Sequence, residues 1–263
     1  MTRVASGVTL AVLTLALLLY GSAGLFFLVI EAVAAICLIE FFSMLRKGSE
    51  PAFGAAGTVS GAALLAAFYT EDAFLVTALA SVVTTVVFGG AVVSEAEKSF
   101  RKTSNTLAGV LYVSVTLGSL VLARKLPDGH LYLITLITAN AIGDTFAYYT
   151  GRAIGKRPLA PTVSPNKTVE GFIGGAVGSM LAAVACKLLF LPSIGFAGAI
   201  VIGLISGLAG PVGDLAESSL KRRMGVKDSG KIVPGHGGAL DRLDSLMFSS
   251  VFFYIYLRLT VAP

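Results

Sequence analysis

Long apolar stretches separated by short polar segments follow one another along almost the whole chain. A helix needs about 20 apolar residues to cross the hydrocarbon core of a bilayer, because each residue advances it by about 1.5 Å. The pattern therefore predicts an all-α, polytopic integral membrane protein with about nine transmembrane helices. The predicted spans are residues 5–21, 24–45, 54–70, 73–94, 104–123, 131–150, 169–190, 195–217 and 244–261.

The composition agrees with that prediction. The 263 residues are 55% hydrophobic and 13% charged, whereas soluble domains carry about 25% charged residues. Small residues after Tyr20 imitate a signal-peptide cleavage site, but the apolar pattern resumes at Leu25, which favours an uncleaved first span. Cys37 and Cys186 lie inside apolar runs without metal-ligand spacing, so both are interpreted as reduced packing residues.

Basic residues are distributed unevenly between the two sides of the spans. With nine spans, the N-terminus and the loops after spans 2, 4, 6 and 8 hold most of the 20 Lys and Arg residues, whereas the opposite loops hold Arg124 and Lys125. Because cytoplasmic loops are enriched in basic residues, this side is predicted to be cytoplasmic, in the inner (plasma) membrane. The net charge of +5 thus reflects topology and suits anionic lipid rather than nucleic acid.

Polar residues inside the spans concentrate in the second half of the chain. The first five spans predict a scaffold region, 1–130, and the last four predict a catalytic region, 131–263, with cytoplasmic loops 151–168 and 218–243. Charges inside membrane helices are costly and mark functional candidates. Glu31 and Glu40 in the second span meet that description, but the sequence assigns a role to neither.

A proline precedes the acidic residues at the end of the eighth span. Pro211 is predicted to interrupt the helix, and such a break is tolerated at membrane depth where it faces protein or a watery cavity. The residues that can share one helical face after it are Asp214, Glu217, Ser218 and Lys221. The alternative interpretation is a proline kink followed by surface ion pairs at a helix end.

The loop before the ninth span combines acidic, basic and glycine residues. Asp241 and Asp244 are three residues apart and point the same way if the helix has begun. The glycines of the preceding Pro-Gly-His-Gly-Gly turn let backbone N–H groups approach a ligand, and Lys227 and Lys231 flank the turn. This set suits a Mg²⁺–polyphosphate site. The alternatives are acids that satisfy the helix dipole and a structural His236.

Two further segments hold candidate ligand contacts. Ser164 is predicted to cap the seventh helix with Pro165 at its first position, so that Lys167 opposes the helix dipole and favours an anion there. Asn140 and Asp144 lie four residues apart on one face of the sixth span. They form either a hydrogen-bonded pair that joins helices or a substrate or metal contact.

Glycines in two spans predict close helix packing. On the seventh span they are Gly171, Gly174, Gly175 and Gly178. On the eighth, Gly203–Gly207 offers a face that serves either a homodimer or packing within one chain.

The C-terminal loop carries a specific resemblance. Residues 218–244 read S-x-L-K-R-(x)4-K-D-S-G-(x)2-V-P-G-H-G-G-A-L-D-R-L-D, which resembles the signature of the phosphatidate cytidylyltransferase (CDP-diacylglycerol synthase) family. Val233 and Ala239 stand where larger aliphatic residues are expected. The stretch SPNKTVEG, from Ser164, resembles the second conserved stretch of that family, while the first 130 residues match only as generic membrane spans.

The resemblance implies Mg²⁺-dependent transfer of CMP from CTP to phosphatidic acid, giving CDP-diacylglycerol and pyrophosphate. On this hypothesis Asp214 and Asp241 hold Mg²⁺ and a second cation, and Asp244 or Asp144 completes or orients the shell. Asp214, Asp241, Lys221 and Lys227 are the predicted catalytic residues. The predicted substrate-binding residues are Ser164, Lys167, Asn140, Asp144, Arg222, His236, Gly237, Gly238 and Arg242.

Three other functions remain open from the sequence. A transporter or channel would also use broken helices and intramembrane acids, although a long basic cytoplasmic loop favours a phosphate substrate. A polyprenol kinase or another CTP-using lipid enzyme would share much of the chemistry. A structural membrane scaffold would leave the acidic glycine turn without a purpose.

Overall fold

The computed structural model describes residues 2–92, 96–232 and 237–261, and over these residues the chain forms nine α-helices and one two-stranded sheet. Each helix coincides with one of the nine predicted spans, so the predicted all-α architecture is confirmed. The helices are α1 (Thr2–Tyr20), α2 (Ala23–Lys47), α3 (Gly54–Thr70), α4 (Ala73–Val92), α5 (Ala96–Lys125), α6 (Gly129–Ile154), α7 (Val169–Leu189), α8 (Phe196–Arg223) and α9 (Leu240–Thr260), and the strands are β1 (Pro158–Ala160) and β2 (Ser164–Thr168).

Several of these helices are suited to cross a membrane. Five are long and apolar enough within the described ranges, namely α2, α4, α5, α7 and α8, and α1 and α3 contain shorter apolar stretches. Large hydrophobic side chains such as Phe74 and Leu188 remain exposed on them, as expected of surfaces that lipid covers. The chain is therefore a multi-pass membrane protein.

The first of two compact units contains the N-terminal helices. It comprises Met1–Leu17, Gly21–Leu122 and Lys221–Arg242. Buried core residues on α3, α4 and α5 are Leu64, Val83, Val87 and Val110. Close helix packing depends on Gly61, because a Cβ there would lie 2.7 Å from the Leu38 side chain. Ser114 Oγ on α5 donates to the Gly61 carbonyl at 2.8 Å, which joins α3 and α5.

The second compact unit is built around the pair α6 and α7. It comprises Leu18–Tyr20, Ala123–Leu220 and Leu243–Pro263. A Cβ on Gly143 would lie 2.1 Å from Ser179 Oγ, and one on Gly174 would lie 2.4 Å from Thr150 Oγ1. The predicted glycine face of α7 is thus a packing face. Ser179 Oγ also donates to the Ala139 carbonyl at 2.9 Å, which satisfies a buried hydroxyl between the two helices.

The two units divide the chain close to the predicted boundary but not in the same way. The change after Leu122 lies near residue 130, whereas Lys221–Arg242 groups with the N-terminal helices rather than with the C-terminal region. Their separate scaffold and catalytic roles stay a prediction. The two cysteines, Cys37 and Cys186, are buried and form no disulfide within the described residues, in agreement with their interpretation as packing residues.

The predicted interruption at Pro211 is wrong. Pro211 lies inside α8, which continues to Arg223. Proline removes one backbone donor, but packing against neighbouring helices stabilises the rest of the helix. Gly207 contributes to that packing, because a Cβ there would lie 2.5 Å from the Ala176 backbone of α7.

The predicted cap of the seventh helix is also wrong. Ser164 and Pro165 belong to β2, which pairs antiparallel with β1 through Pro158–Thr168 and Ala160–Ser164. The hairpin extends the chain up to the helix, so α7 begins at Val169. Thr168 is its N-cap, and Thr168 Oγ1 accepts a hydrogen bond from the Gly171 N–H at 3.1 Å. Lys167 therefore lies on a strand and not in a first helical turn.

Candidate functional site

A cavity of about 490 Å³ lies in the second compact unit. The C-terminal half of α6, the β-hairpin, the start of α7 and the middle of α8 surround it. Charged residues from α6, β2 and α8 reach the cavity, and aromatic and aliphatic side chains form much of the remaining wall. The lining includes Asp144, Tyr148, Arg152, Lys167, Phe172 and Asp214.

An ion pair between Lys167 and Asp214 lies in this cavity. Lys167 Nζ donates to Asp214 Oδ2 at 2.5 Å. Ser218 Oγ, one helical turn after Asp214, donates to the other carboxylate oxygen at 3.1 Å. Asp144 lies within electrostatic range of Asp214, Lys167 and Asp244. The structure thus brings together four charged residues from four separate segments of the sequence.

The loop before β1 and the start of α7 hold the hairpin that carries Lys167. Glu170 Oε2 accepts hydrogen bonds from the backbone N–H groups of Lys156 at 3.0 Å and Arg157 at 3.2 Å. Arg157 Nε donates to Glu170 Oε1 at 3.0 Å. These bonds tie the end of α6 to the first turn of α7, and they fix both ends of the hairpin.

Asp241 lies in the first compact unit, in a separate polar cluster. Lys221 Nζ donates to Asp241 Oδ1 at 2.6 Å. Oδ2 accepts from the Ser229 N–H at 2.9 Å, from Ser229 Oγ at 2.9 Å and from the Gly238 N–H at 2.8 Å. Gly237 has φ +83°, and a Cβ there would lie 2.6 Å from Oδ2, so glycine is required at this turn.

These contacts favour the ionised form of Asp241, which precedes the predicted ninth span. Burial alone would raise the pKa of its carboxyl. Opposing effects lower that pKa, namely hydrogen bonds from Lys221, Gly238 and Ser229 and the positive charge of Lys221. Together they outweigh burial, so the pKa of Asp241 lies below the ordinary value of 3.8. Asp241 is therefore a carboxylate at neutral pH.

The other predicted site residues have varied surroundings. Asn140 Nδ2 donates to the Leu136 carbonyl at 2.9 Å and to Ser249 Oγ at 3.2 Å, so it joins α6 and α9 as the alternative interpretation predicts. Asp244 Oδ1 accepts from the Ser245 N–H at 2.6 Å. Ser164 is half-buried in β2. Exposed cations at predicted substrate-binding or catalytic positions are Arg222, Lys227 and Arg242. His236 lies outside the described residues.

Three residues that organise these clusters had no role assigned from the sequence. Thr168 and Glu170 fix the start of α7 and were hidden by the incorrect helix boundary. Glu40 of α2 is buried and bonds to the loop that carries Asp241. Its position in an apolar span was a signal, but its partners lie about 190 to 200 residues away along the chain.

Metal-ligating side chains do not form a dense cluster in the part of the chain that the structure describes. No group of three or more His, Cys, Asp and Glu side chains is arranged to hold a metal ion within residues 2–92, 96–232 and 237–261. The predicted Mg²⁺ ligands therefore stay a prediction.

Comparisons with known proteins identify the family of the chain. Residues 1–260 match the Cytidylyltransferase family. The chain is 40% identical over 157 residues to a phosphatidate cytidylyltransferase of Staphylococcus saprophyticus, with 60% of each chain covered. It is 41% identical over 165 residues to the protein of that name from Staphylococcus aureus strain COL, covering 62% of each. With the Bacillus subtilis protein it shares 41% over 155 residues, 59% of this chain and 57% of the relative. The chain thus spans about three fifths of the length of these relatives.

Proposed function

The chain belongs to the cytidylyltransferase family, and from this premise we propose that it transfers CMP from CTP to phosphatidate, giving CDP-diacylglycerol and pyrophosphate. An oxygen of the phosphatidate phosphate forms a bond to the α-phosphorus of CTP. The bond from that phosphorus to the oxygen bridging the β-phosphate breaks, and its electron pair leaves with pyrophosphate. Because a phosphate oxygen is already anionic at neutral pH, no side-chain nucleophile is required.

The cavity of the second compact unit carries the proposal, because charged and apolar walls meet in it. Lys167 and Arg152 supply positive charge for phosphate oxygens. Leu159 and Phe172 supply apolar surface beside them. A lipid with a phosphate head group matches both parts of this wall. In the bound state Lys167 exchanges its Asp214 partner for a phosphate oxygen.

Carboxylates of the same cavity fit the oxygen ligands that Mg²⁺ takes. We propose that Asp214 and Asp144 hold the ion there, since both line the cavity. When bound between these carboxylates, Mg²⁺ would supply positive charge that offsets the negative charge of the phosphates. The hypotheses that Asp241 and Asp244 are further ligands, and that a second cation binds, stay predictions. In the structure four protein donors lie within hydrogen-bond distance of the Asp241 oxygens.

Basic residues of loop 218–243 are proposed to bind the triphosphate of CTP. Arg222 and Lys227 are exposed, so both are accessible to a soluble nucleotide. The positive-inside pattern supports an inner-membrane location with the N-terminus and this loop on the cytoplasmic side. CTP then arrives from the cytosol, and phosphatidate enters sideways from the bilayer.

Pyrophosphate release tests the proposed reaction. The full chain is purified in detergent and mixed with CTP and Mg²⁺, with and without phosphatidate, and the lipid product is identified by mass spectrometry. We expect release only when the lipid is present, together with CDP-diacylglycerol. Asp214→Asn should lower the rate at least 100-fold, whereas Glu71→Gln, which alters an exposed acid between α3 and α4, should leave it within twofold. Folded protein that releases no pyrophosphate would contradict the proposal.

A further inference from the structure

Glu40 is a buried carboxylate on the largely apolar helix α2. Its side chain accepts hydrogen bonds from three donors of a single distant loop. Ser229 Oγ donates to Oε2 at 3.2 Å, the Leu240 N–H donates to Oε2 at 3.0 Å, and the Ala239 N–H donates to Oε1 at 3.1 Å. The residue is 5% exposed, so these donors replace water around the charge.

The start of α9 stabilises the Glu40 charge. The first N–H groups of a helix have no partner within the helix and carry the positive end of its dipole. Two of the three donors to Glu40, the N–H groups of Ala239 and Leu240, belong to this end. Glu40 therefore caps α9 with a side chain from another helix. A buried carboxylate without such donors would be costly.

The Glu40 carboxylate leaves no room for a side chain at two glycines of the signature loop, which comprises residues 218–244. A Cβ on Gly230 would lie 2.0 Å from Glu40 Oε1, and a Cβ on Gly238 would lie 2.5 Å from Oε2. Any side chain at either position would displace Glu40 or the loop. The Ser229-Gly230 and Gly238-Ala239-Leu240 parts of the signature thus fit around one carboxylate of α2.

Ser229 connects Glu40 to Asp241. Its hydroxyl lies 2.9 Å from Asp241 Oδ2 and 3.2 Å from Glu40 Oε2, and its single proton can be donated to only one of them at a time. The Ser229 and Gly238 N–H groups also bond to Asp241. Glu40 and Asp241 consequently bond to the same two parts of the loop, residue 229 and residues 238–240.

We propose that Glu40 is a positioning residue for the transfer reaction: it holds the signature loop and the start of α9, so that Asp241 and Lys221 keep one arrangement. This role rests on the proposed function. Glu31 provides a contrast on the same helix, because its Oε2 has no hydrogen-bond partner among the residues that the structure describes. Glu40, by comparison, is bonded to the loop through both of its carboxylate oxygens.

The experiment compares Glu40→Gln, Glu40→Asp and the control Glu31→Gln in the full chain, purified in detergent with phosphatidate. Glu40→Gln keeps the side-chain size but turns an NH₂ group towards backbone donors. We expect kcat to fall at least tenfold with KM for CTP within threefold, since small misplacements of catalytic groups slow the reaction more than they weaken binding. Glu40→Asp should recover part of the loss, and Glu31→Gln should stay within twofold of the original chain.

Hydrogen exchange measures the loop directly and without turnover. In Glu40→Gln, amides of residues 229 and 238–240 should exchange at least tenfold faster, while those of the β1–β2 hairpin keep their rates. A general loss of folding would instead accelerate both regions and reduce the fraction of folded enzyme rather than its kcat.

Two results would overturn the positioning role. One is a Glu40→Gln variant whose loop exchange rates and kcat equal those of the original chain. The other is a Glu31→Gln variant that loses as much kcat as Glu40→Gln. If Glu40→Gln fails to fold, Ser229→Ala tests the same connection, and unchanged loop exchange in that variant would reject it. Failure of the original chain to release pyrophosphate with phosphatidate rejects the proposed reaction instead, and the exchange measurement still decides whether Glu40 fixes the loop.

Discussion

Two aspartates of this chain each pair with a lysine, but the surroundings of the pairs differ. The side chains of Lys167 and Asp214 are 30% and 35% exposed, whereas those of Lys221 and Asp241 are 12% and 6% exposed. A partly exposed pair contributes little to stability and separates easily, while separating a buried pair leaves an uncompensated charge. The first pair is therefore suited to exchange partners with a substrate, and the second to hold a loop in place.

Removal of the Lys167 ammonium group should weaken substrate binding. Lys167→Ala is expected to raise KM for phosphatidate about 10- to 100-fold, because a hydrogen bond to a charged group contributes about 1.5–3 kcal/mol. Lys156→Ala is the matched control, since Lys156 is exposed and only its backbone N–H bonds to Glu170. Initial rates at varied lipid fraction in micelles measure the effect. Unchanged KM for both substrates would remove Lys167 from the site.

The lowered pKa of Asp241 predicts how its contribution to stability depends on pH. A carboxyl with a depressed folded-state pKa stabilises the protein above its unfolded value, about 3.9, and loses that effect as pH falls through the folded value. Asp241→Asn should therefore lower Tm by several degrees between about pH 5 and 8, because Lys221 loses its buried partner. The difference from the original chain should shrink below about pH 4. Thermal unfolding in detergent at each pH tests this, and a difference independent of pH would exclude the charge as its cause.

At the scale of elements, the length of the apolar stretches predicted the helices well. The proline and serine residues taken as helix breaks and caps predicted the helix ends poorly. A stretch of about 20 apolar residues has few alternatives to a helix in lipid, so nine helices followed from the pattern. Pro211 did not break α8, because packing against neighbouring helices outweighs one missing donor. Ser164-Pro165 looked like a helix start, but pairing with β1, which lies only a few residues earlier, extends this segment instead.

The sequence could identify most candidate site residues but not their partners. The motifs around Lys167 and Asp241 were visible because unusual residue types lie close together. Glu40 could not be connected to Ser229 or Leu240, since helix and strand periodicity describe neighbours along the chain and these contacts join distant segments. Tertiary contacts, not local pattern, decide which acid binds which loop.

The corrected start of α7 gives a prediction that separates the two interpretations. Thr168→Ala removes the observed cap and should cost about 1 kcal/mol, since that is the typical loss at an N-cap. Ser164→Ala, at the position that the sequence suggested, should cost less than about 0.5 kcal/mol, as surface changes usually do. Thermal unfolding in detergent and hydrogen exchange at Gly171 measure both variants. A larger loss for Ser164→Ala would restore the sequence-based boundary.

At the scale of the whole molecule, the two compact units do not follow the order of the chain. The segment Lys221–Arg242 returns to the N-terminal unit after almost one hundred residues of the second unit. A helix of the predicted scaffold region therefore contacts the signature loop, because Glu40 of α2 accepts hydrogen bonds from it. The predicted division at residue 130 separates these two contacting segments.

The membrane topology can be tested at α6, which is not among the five described helices that are long and apolar enough by composition. Polar residues such as Asn140 and Asp144 reduce its apolar character, whereas the topology predicted from the basic residues has α6 crossing the membrane. Single cysteines replace Lys125 before α6 or Lys156 after it, both exposed, in a chain whose own Cys37 and Cys186 are changed to Ala. A membrane-impermeant maleimide should label position 156 in inside-out vesicles and position 125 in right-side-out vesicles. Labelling of both positions from one side would mean that α6 does not cross the membrane. If that side is the outer one, the hairpin with Lys167 lies on the opposite side from the one proposed for CTP. If it is the cytoplasmic one, the predicted location of the N-terminus is wrong.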